Sequence, residues 1–438
     1  MNIKELKKKK IGFVSFGCGK NVVEVEKLMS KCREFGFTFV ADEKEANILV
    51  INSCAFLKST RKESFDCLKE FVPLKSGNLE KIILTGCLAG YKLDNIEKNL
   101  LGVDLILTQD KNENIISEIA KLYGLKVEEH FNNFSRVLTT PNHYAYLRIA
   151  DGCDNFCSYC TIPYIVGRYK SVPQEKLLLE AKELVNNGVT ELIVVAQDIT
   201  IYGSDLKDGK SLITLVRELS KIEQIKRIRL IYCYPENITK ELIDEIRDNP
   251  KICKYLDIPL QHISNSVLKR MNRKNSKEKT IDLIKILRKE IKDIALRTTF
   301  IVGFPGETEE EFNELCEFVK VYKLNQVGFF AYSREKGTIA YTLKPQILEK
   351  VKKQRVETLA KLQYNNVLEN NQKFVGKTLT AIVDEECGEY AFLRSEYQLP
   401  DLDGRILVFP PYNFKQGDYV KVKIKQVDGY DLIGKIVK

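Results

Sequence analysis

Short apolar runs alternate with amphipathic stretches through the first part of the chain, up to about Gly124. Brief apolar runs bounded by turn residues predict buried strands, and apolar residues recurring every three or four positions predict helices. We predict strands over Ile11–Phe16, Ile48–Asn52, Ile82–Thr85 and Asp104–Thr108, with helices such as Val22–Phe35 and Ser59–Phe71 between them. Parallel strands need a crossover, which is usually helical, so this alternation predicts a small doubly wound α/β domain.

The same alternation returns with a longer spacing between about Asn142 and Ser333. Six strands are predicted there, over Tyr144–Ile149, Leu192–Ala196, Ile228–Tyr232, Tyr255–Ile258, Leu296–Val302 and Gln326–Ala331. The predicted helices between them include Gln174–Asn186, Leu212–Leu219, Lys240–Asp248 and Glu309–Tyr322. Six units are fewer than the eight of a closed barrel, so we expect a partial βα barrel with its chemistry at the carboxyl ends of the strands.

The last part of the chain changes to short β-type runs after a charged helical stretch from about Gln346 to Lys373. Strands are predicted over Leu379–Asp384, Tyr390–Leu393, Arg405–Phe409, Tyr419–Val427 and Leu432–Val437. Five short strands separated by turn residues predict a small antiparallel β-barrel, a shape often used for binding. The fold class is therefore α/β with a terminal barrel, and we place the domains at residues 1–135, 140–370 and 371–438.

Composition is that of a folded protein, with 44% hydrophobic and 29% charged residues among 438. No stretch approaches the ~18 uninterrupted apolar residues of a membrane helix, and no apolar signal region follows the lysine-rich start. We therefore expect a cytoplasmic protein without a membrane partner. Of the net charge of +9, five positive charges come from Lys4 and Lys7–Lys10, which we interpret as a solvated tail. The three histidines, His130, His143 and His262, are expected to be structural or on the surface.

Twelve cysteines would remain thiols in that compartment, so their clustering indicates metal binding, catalysis or burial rather than disulfides. Cys153, Cys157 and Cys160 have the spacing C-x-x-x-C-x-x-C directly after the first strand of the predicted partial barrel. Ordinary zinc and iron-sulfur sites take four protein ligands, whereas a four-iron cluster held by three leaves one iron open to a small molecule. The alternatives are a zinc site that borrows a fourth cysteine, or three unrelated buried cysteines.

A second set of three cysteines is dispersed through the first domain. Cys18, Cys54 and Cys87 each follow a predicted strand. The carboxyl ends of parallel strands share one edge of a sheet, where ligands bind, so these thiols can converge there. The alternative is that each is a small buried residue, which is the role we assign to Cys32, Cys67, Cys233, Cys253, Cys316 and Cys387.

The Asp151–Cys160 segment resembles the defining motif of radical S-adenosylmethionine enzymes. In that superfamily the open iron binds the amino and carboxylate groups of S-adenosylmethionine, and the reduced cluster releases methionine and a 5′-deoxyadenosyl radical. The resemblance implies that Cys153, Cys157 and Cys160 hold a four-iron four-sulfur cluster. It also implies that Gly303, within Ile301–Glu307, lines the cofactor pocket, and that Tyr159 packs near the adenine.

Over essentially its whole length the chain resembles the methylthiotransferases of that superfamily, which end in a small TRAM-like β-barrel. The resemblance implies a second four-iron four-sulfur cluster on Cys18, Cys54 and Cys87, which carries the sulfur to be inserted, and no catalytic side chains beyond the cluster ligands. Two molecules of S-adenosylmethionine would be used, one as methyl donor and one as radical source. The departures at Gly19, Ala55 and Ile199 remove no ligand and concern only loop shape.

Several stretches resemble the branch of the family that modifies the β-carbon of an aspartate in small-subunit ribosomal protein S-twelve, alone or on the ribosome: Ala196–Gly203, Leu256–Ser264, Arg297–Thr299 and Tyr332–Thr338. An electron-donor protein such as flavodoxin or ferredoxin is also implied. Methylthiolation of an adenosine in transfer RNA is the near alternative, and a non-catalytic iron-sulfur or zinc factor that docks on ribosomes is the other.

The charge of the terminal barrel bears on that choice. Residues 372–438 contain ten Lys or Arg and ten Asp or Glu, whereas a barrel that grips RNA should be basic. Transfer RNA is therefore not the expected partner. The acidic side chains of this region would instead suit a basic ribosomal protein, or would form a merely solvated face: Asp384, Glu385, Glu386, Glu389, Glu396, Asp401 and Asp403.

Overall fold

The computed structural model describes residues 1–91, 102–128 and 131–437. Its first sheet has the strand order β2-β1-β3-β4-β5, with every pair parallel. The strands are β1 Lys10–Ser15, β2 Thr38–Phe39, β3 Ile48–Ser53, β4 Lys81–Gly86 and β5 Leu105–Ile106, and the helices are α1 Ile3–Lys7, α2 Gly19–Phe35, α3 Lys58–Phe71 and α4 Ile115–Leu122. The doubly wound prediction is confirmed, with β2 as an additional short edge strand.

Strand β3 shows why its sequence is apolar throughout. Ile48 and Val50 pack on the side of α2 and α4, and Leu49 and Ile51 pack on the opposite side with α3. Successive side chains of a strand point to opposite faces, so a strand covered on both faces needs a continuous apolar run.

The second sheet has the order β13-β12-β11-β10-β9-β6, and all five of its strand pairs are parallel. Its strands are β6 Tyr144–Arg148, β9 Glu191–Val195, β10 Arg227–Leu230, β11 Ile252–Asp257, β12 Ala295–Val302 and β13 Gln326–Ala331. A separate short pair, β7 Ala150–Asp151 and β8 Lys170–Ser171, follows β6. The six predicted strands are confirmed, and the sheet is open because β6 and β13 lie at its two edges.

Helices pack on one face of this sheet and enclose the largest apolar core of the molecule. They are α6 Gln174–Asn186, α7 Leu212–Ser220, α8 Lys240–Asp248, α10 Lys277–Glu290, α11 Glu309–Tyr322 and α12 Glu349–Gln372. Two short helices, α5 Ile162–Ile165 and α9 Asn265–Arg270, lie outside this core. Helix α11 begins where its sequence predicts, because Thr308 and Glu311 form a capping box that satisfies free N–H groups of the first turn.

The terminal strands form a closed five-stranded barrel in the order β14-β15-β16-β18-β17. They are β14 Thr378–Glu386, β15 Ala391–Ser395, β16 Ile406–Val408, β17 Tyr419–Asp428 and β18 Asp431–Val437. The predicted barrel is confirmed, with one difference: β16 and β18 pair in parallel, while the other pairs are antiparallel. The parallel pair closes the barrel.

The barrel contacts the second sheet through residues 396–405, which connect β15 and β16. Leu399 packs on the sheet face opposite the helices, and the Tyr255 hydroxyl donates a hydrogen bond to Asp403 at 2.7 Å. Buried Glu191 of β9 accepts hydrogen bonds from Arg229 at 3.0 Å and from Arg394 of the barrel at 2.8 Å. Sheet and barrel therefore share a buried polar network.

This network involves part of the acidic surface that we expected to suit a basic partner or to be solvated. Asp384 bonds Arg394 and His143, Asp403 bonds Tyr255, and Asp401 accepts from Tyr144 at 3.1 Å. Glu396 accepts from the backbone N–H of Lys254. The acidic side chains left on the exposed end of the barrel are Glu385, Glu386 and Glu389.

The lysine-rich start is solvated as expected, since four of its five lysines are exposed, but it is an ordered segment and not a tail. Residues 3–7 form α1, and the Lys7 ammonium lies 5.1 Å from the centre of the Phe35 ring. Lys9 forms an ion pair with Glu80, and Lys10 pairs with Glu45 at 3.0 Å. Within the described ranges, no helix is both long and apolar enough to span a bilayer.

Candidate functional site: two groups of three cysteines

The dispersed cysteines lie at the carboxyl ends of three adjacent strands. Cys18 follows β1 and caps α2, Cys54 follows β3, and Cys87 follows β4 directly. Strand β2 lies on one side of β1 and strand β3 lies on the other, so the direction in which strands are added reverses beside β1. Doubly wound sheets bind ligands in the crevice at such a reversal, which here lies between β1 and β3. The predicted convergence of the three strand ends is therefore present.

Asn21 connects the loops that carry these cysteines. Its side-chain amide donates to the carbonyl of Phe16 at 2.8 Å and to that of Ser53 at 3.2 Å, and it accepts from the Cys87 thiol at 3.9 Å. Gly86 has a φ of +81°, and a Cβ there would lie 2.4 Å from the Ser53 carbonyl oxygen. Only glycine permits both the backbone conformation and this close approach.

The thiols of this group influence one another's ionisation. Burial raises the pKa of Cys87 to about 12, and the neighbouring Cys54 and Cys18 add to the shift. Burial also opposes ionisation of Cys18, but the charge of Lys20 and hydrogen bonds from backbone N–H groups lower the pKa of Cys18 below its ordinary value. Clustered thiols that repel each other as anions are the donor set that iron can neutralise.

The contiguous cysteines lie in the loop that follows β7, at the carboxyl edge of the second sheet. Gly152 has a φ of +70°, and a Cβ there would lie 2.1 Å from the carbonyl oxygen of Arg168. The N–H of Asn155 donates to the Cys153 sulfur at 3.5 Å. The N–H of Ser158 donates to the carbonyl of Met271, which fixes the loop against α9.

Arg273 is a functional candidate that sequence reasoning missed. It donates to the Cys157 sulfur at 3.7 Å and to the carbonyl of Pro259 at 2.7 Å, and its guanidinium lies 4.3 Å from the centre of the Tyr234 ring. Burial and the nearby Cys157 raise the pKa of Cys160 to about 12. Arg273 therefore places a buried positive group and an N–H donor at one sulfur of the contiguous group.

The donor chemistry of both groups fits a cluster held by three thiolates, with N–H donors aimed at the sulfurs of the contiguous group. In the part of the chain that the structure describes, no three His, Cys, Asp or Glu side chains surround a point as the ligands of one metal ion would. A four-iron cluster does not require that spacing, because each thiolate binds a different iron.

Tyr159 and Gly303, the predicted cofactor contacts, lie in neighbouring positions. The Tyr159 ring makes an edge contact with the ring of Phe304, with centres 6.4 Å apart. Gly303 has a φ of +70°, and a Cβ there would lie 2.3 Å from Cγ of buried Lys352. Close approach of α12 is thus one physical reason for the glycine, and its contact with a cofactor stays a prediction.

The remaining cysteines and histidines only partly match the expectation that they are structural. Four of these cysteines are buried, but Cys387 is exposed and Cys67 is half-buried. His143 is buried and bonds Asp384 at 2.8 Å, and His262 is fully buried. His130 lies outside the described residues.

Comparison with known families divides the chain into three matched segments. The model of the radical SAM superfamily matches residues 147–319, that of an uncharacterized protein family, UPF0004, matches residues 10–108, and that of the TRAM domain matches residues 375–437. The UPF0004 segment contains the first sheet and the TRAM segment contains the barrel, whereas the radical SAM segment contains β9 to β12 of the second sheet and ends before β13.

Curated relatives match the chain from end to end. A ribosomal protein uS12 methylthiotransferase RimO of Clostridium botulinum is 43% identical and covers 98% of each chain. That of Clostridium novyi is 44% identical over 97% of each chain, and that of Acetivibrio thermocellus is 41% identical over 98% of this chain and 99% of its own.

Solved structures show the same fold at low sequence identity. The radical S-adenosylmethionine methyltransferase TsrM of Kitasatospora setae, solved with cobalamin and a [4Fe-4S] cluster, is 13% identical with a TM-score of 0.55, covering 74% of this chain and 75% of its own. The cobalamin-dependent radical enzyme OxsB gives a TM-score of 0.52 at 13% identity, covering 82% and 57%.

Proposed function

Since the chain belongs to the RimO family of ribosomal protein uS12 methylthiotransferases, we propose that it inserts a methylthio group at the β-carbon of an aspartate of uS12. One observation carries this proposal: two groups of three cysteines lie at the ligand-binding edges of two parallel sheets in a chain that matches these enzymes over 98% of its length. The chain is thus a radical S-adenosylmethionine transferase with a four-iron four-sulfur cluster.

We further propose that each group of cysteines holds its own four-iron four-sulfur cluster. Cys153, Cys157 and Cys160 would hold the radical cluster, and Cys18, Cys54 and Cys87 the sulfur-donor cluster. When bound, the clusters and S-adenosylmethionine would supply the 5′-deoxyadenosyl radical and the sulfur for a carbon whose hydrogen no side-chain base can remove. The protein's own part is to hold six thiolates and to aim N–H donors at the sulfurs of Cys153 and Cys157.

The fold supports specific roles for the predicted cofactor contacts. Tyr159 follows the second cysteine of the radical loop and packs beside the glycine-containing turn, so it would lie against the adenine, with Gly303 lining the same pocket. We also propose domains at residues 1–135, 140–370 and 371–438. The loop of residues 396–405 joins the last two through buried contacts.

For partners, we propose uS12, alone or on the ribosome, and an electron donor such as flavodoxin or ferredoxin. A ribosomal substrate would place the enzyme in the cytoplasm. The barrel's balanced charge and the exposed Glu385, Glu386 and Glu389 support a basic protein rather than transfer RNA as the bound macromolecule.

Modification of purified substrates tests this function. The reconstituted protein is incubated without oxygen with reductant, S-adenosylmethionine and either uS12 or transfer RNA, and both products are analysed by mass spectrometry. We expect methylthioaspartate in uS12 and none with a Cys87→Ala control. Methylthioadenosine in transfer RNA with unmodified uS12 would overturn the proposal, and absence of S-adenosylmethionine cleavage would favour a non-catalytic docking factor.

A further inference from the structure

Lys20 occupies a position between the two groups of cysteines. It is the second residue of α2 and is half-buried. Its charge acts on Cys18 and Cys87 of the dispersed group, and it also acts on Cys160 of the contiguous group. Its ammonium lies 4.6 Å from the centre of the Tyr232 ring, at the carboxyl end of β10. The first domain therefore places a positive charge in the space between the two groups of cysteines, at the carboxyl edge of the second sheet.

Other cations around this space already have partners. Arg148 lies 3.4 Å from Asp151, Arg297 lies 2.9 Å from Asp257, and Arg273 bonds the Pro259 carbonyl. Among the described residues, the Lys20 ammonium has the Tyr232 ring as its close contact and forms no hydrogen bond or ion pair.

The nearby carboxylates are also engaged elsewhere, so the ammonium has no carboxylate partner among the described residues. Asp151 accepts from the Gln109 side chain at 3.0 Å, and Asp257 accepts from the backbone N–H of Tyr232 at 3.1 Å. A half-buried cation that packs on an aromatic face and has no carboxylate partner favours the entry of a carboxylate. The space is thus prepared for a negatively charged group.

We propose that Lys20 binds the carboxylate of the target aspartate and is thereby a specificity-determining residue. This inference rests on the proposed function, in which the reacting β-carbon is bonded to the carboxylate carbon. An ion pair to that carboxylate would hold the β-carbon between the two groups of cysteines. A nucleoside has no carboxylate, so the same cation would not select an adenosine.

Binding of two forms of uS12 tests the inference in the reconstituted full-length enzyme. The probes are uS12 and its variant with the target aspartate replaced by asparagine, and binding is measured before reductant is added. The enzymes are the wild type, Lys20→Met, Lys20→Arg and the control Lys170→Met. Lys170 is an exposed lysine whose strand pairs with Asp151, so it adjoins the same loop without entering the space.

We expect the wild type and Lys170→Met to bind the aspartate form about tenfold or more tightly than the asparagine form, as a charge-assisted hydrogen bond would give. Lys20→Met should bind both forms alike, and Lys20→Arg should keep much of the preference. Iron content and S-adenosylmethionine affinity should be unchanged in Lys20→Met.

Three results would overturn the inference: an intact preference in Lys20→Met, a loss of iron that shows a role in holding a cluster, or weakened S-adenosylmethionine binding with the preference retained. These results differ from failure of the proposed function, in which the wild type itself neither binds nor modifies uS12.

Discussion

The two groups of cysteines are built in opposite ways. Cys153, Cys157 and Cys160 lie within eight consecutive residues of one loop, whereas Cys18, Cys54 and Cys87 come from three loops and are brought together only by the parallel sheet. The contiguous group therefore depends on the shape of one loop. The dispersed group depends on the order of strands β1, β3 and β4 and on the contacts between the loops that follow them.

A local motif and a fold can therefore build the same kind of donor set, but they are sensitive to different changes. A contiguous group is damaged by changes inside its loop. A dispersed group is damaged by any change that separates its strand ends, such as loss of Asn21 or of the close approach at Gly86. Variants that affect one group and spare the other test this difference.

Removing one thiol from each group should have the largest effect. We expect Cys157→Ala to abolish both cleavage of S-adenosylmethionine and methylthiolation, because the radical cluster loses a ligand. Cys87→Ala should still cleave S-adenosylmethionine but should not methylthiolate uS12. Chromatographic quantification of 5′-deoxyadenosine and mass spectrometry of uS12 measure the two reactions. Loss of cleavage in both variants would mean that the groups do not act separately.

Adding a methyl group at one glycine beside each group should have the next largest effect. Gly86→Ala should lose the dispersed group's iron and keep S-adenosylmethionine cleavage, because its Cβ would collide with the Ser53 backbone. Gly152→Ala should lose cleavage, because its Cβ would collide with the Arg168 carbonyl.

Gly124→Ala separates collision from backbone strain in this comparison. Gly124 has a φ of +72° but no atom within 4 Å of a built Cβ. The Gly124→Ala variant should lose only the ~1–2 kcal/mol of folding free energy that a left-handed conformation costs. The iron content of both groups should be unchanged. Equal iron loss in all three variants would attribute the effect to strain alone.

Removing the charge of Arg273 should change the radical cluster without removing it. A positive group that donates toward the Cys157 sulfur stabilises the reduced form of the cluster held there. Arg273→Met should therefore shift the reduction potential of the radical cluster to more negative values, by roughly tens of millivolts. A redox titration followed by electron paramagnetic resonance measures the shift. Arg168→Met, at an exposed arginine near the same loop, is the control. A shift to more positive values would contradict the assigned role.

The smallest predicted effect concerns the rates at which individual thiols of the metal-free protein are alkylated. The pKa of Cys18 is lowered, whereas the pKa values of Cys87 and Cys160 are raised to about 12, so at a given pH Cys18 has a larger thiolate fraction than the other two. Iodoacetamide should therefore modify Cys18 at least about tenfold faster than the other two, as followed by peptide mass spectrometry. Lys20→Met should slow Cys18, and equal rates for all three thiols would refute the electrostatic account.

Periodicity predicted most of the fold because the strands are buried on both faces or alternate strictly with amphipathic helices. Helix α11 was predictable even at its first residue, since Thr308 and Glu311 carry the capping signal in sequence. The contiguous cysteines were visible as a motif. The dispersed cysteines became visible only when each was assigned to a strand end.

Features that depend on distant contacts were not predictable. Arg273 lies 116 residues from Cys157 in the sequence. The loop of residues 396–405 contacts β11, which belongs to a different domain. The acidic residues of the barrel looked alike in sequence, yet Asp384 and Asp403 belong to buried networks. Periodicity predicts which face of an element is buried, but it does not predict which polar side chains from other elements contact that face.

Iron and sulfide analysis decides whether the chain holds two separate clusters. Wild type, a Cys18, Cys54 and Cys87 triple-alanine variant and a Cys153, Cys157 and Cys160 triple-alanine variant are reconstituted without oxygen and analysed for iron and sulfide. We expect about eight irons in the wild type and about four in each variant, with S-adenosylmethionine cleavage retained only where Cys153, Cys157 and Cys160 are intact. Four irons in the wild type, or an unchanged content in the first variant, would contradict the account.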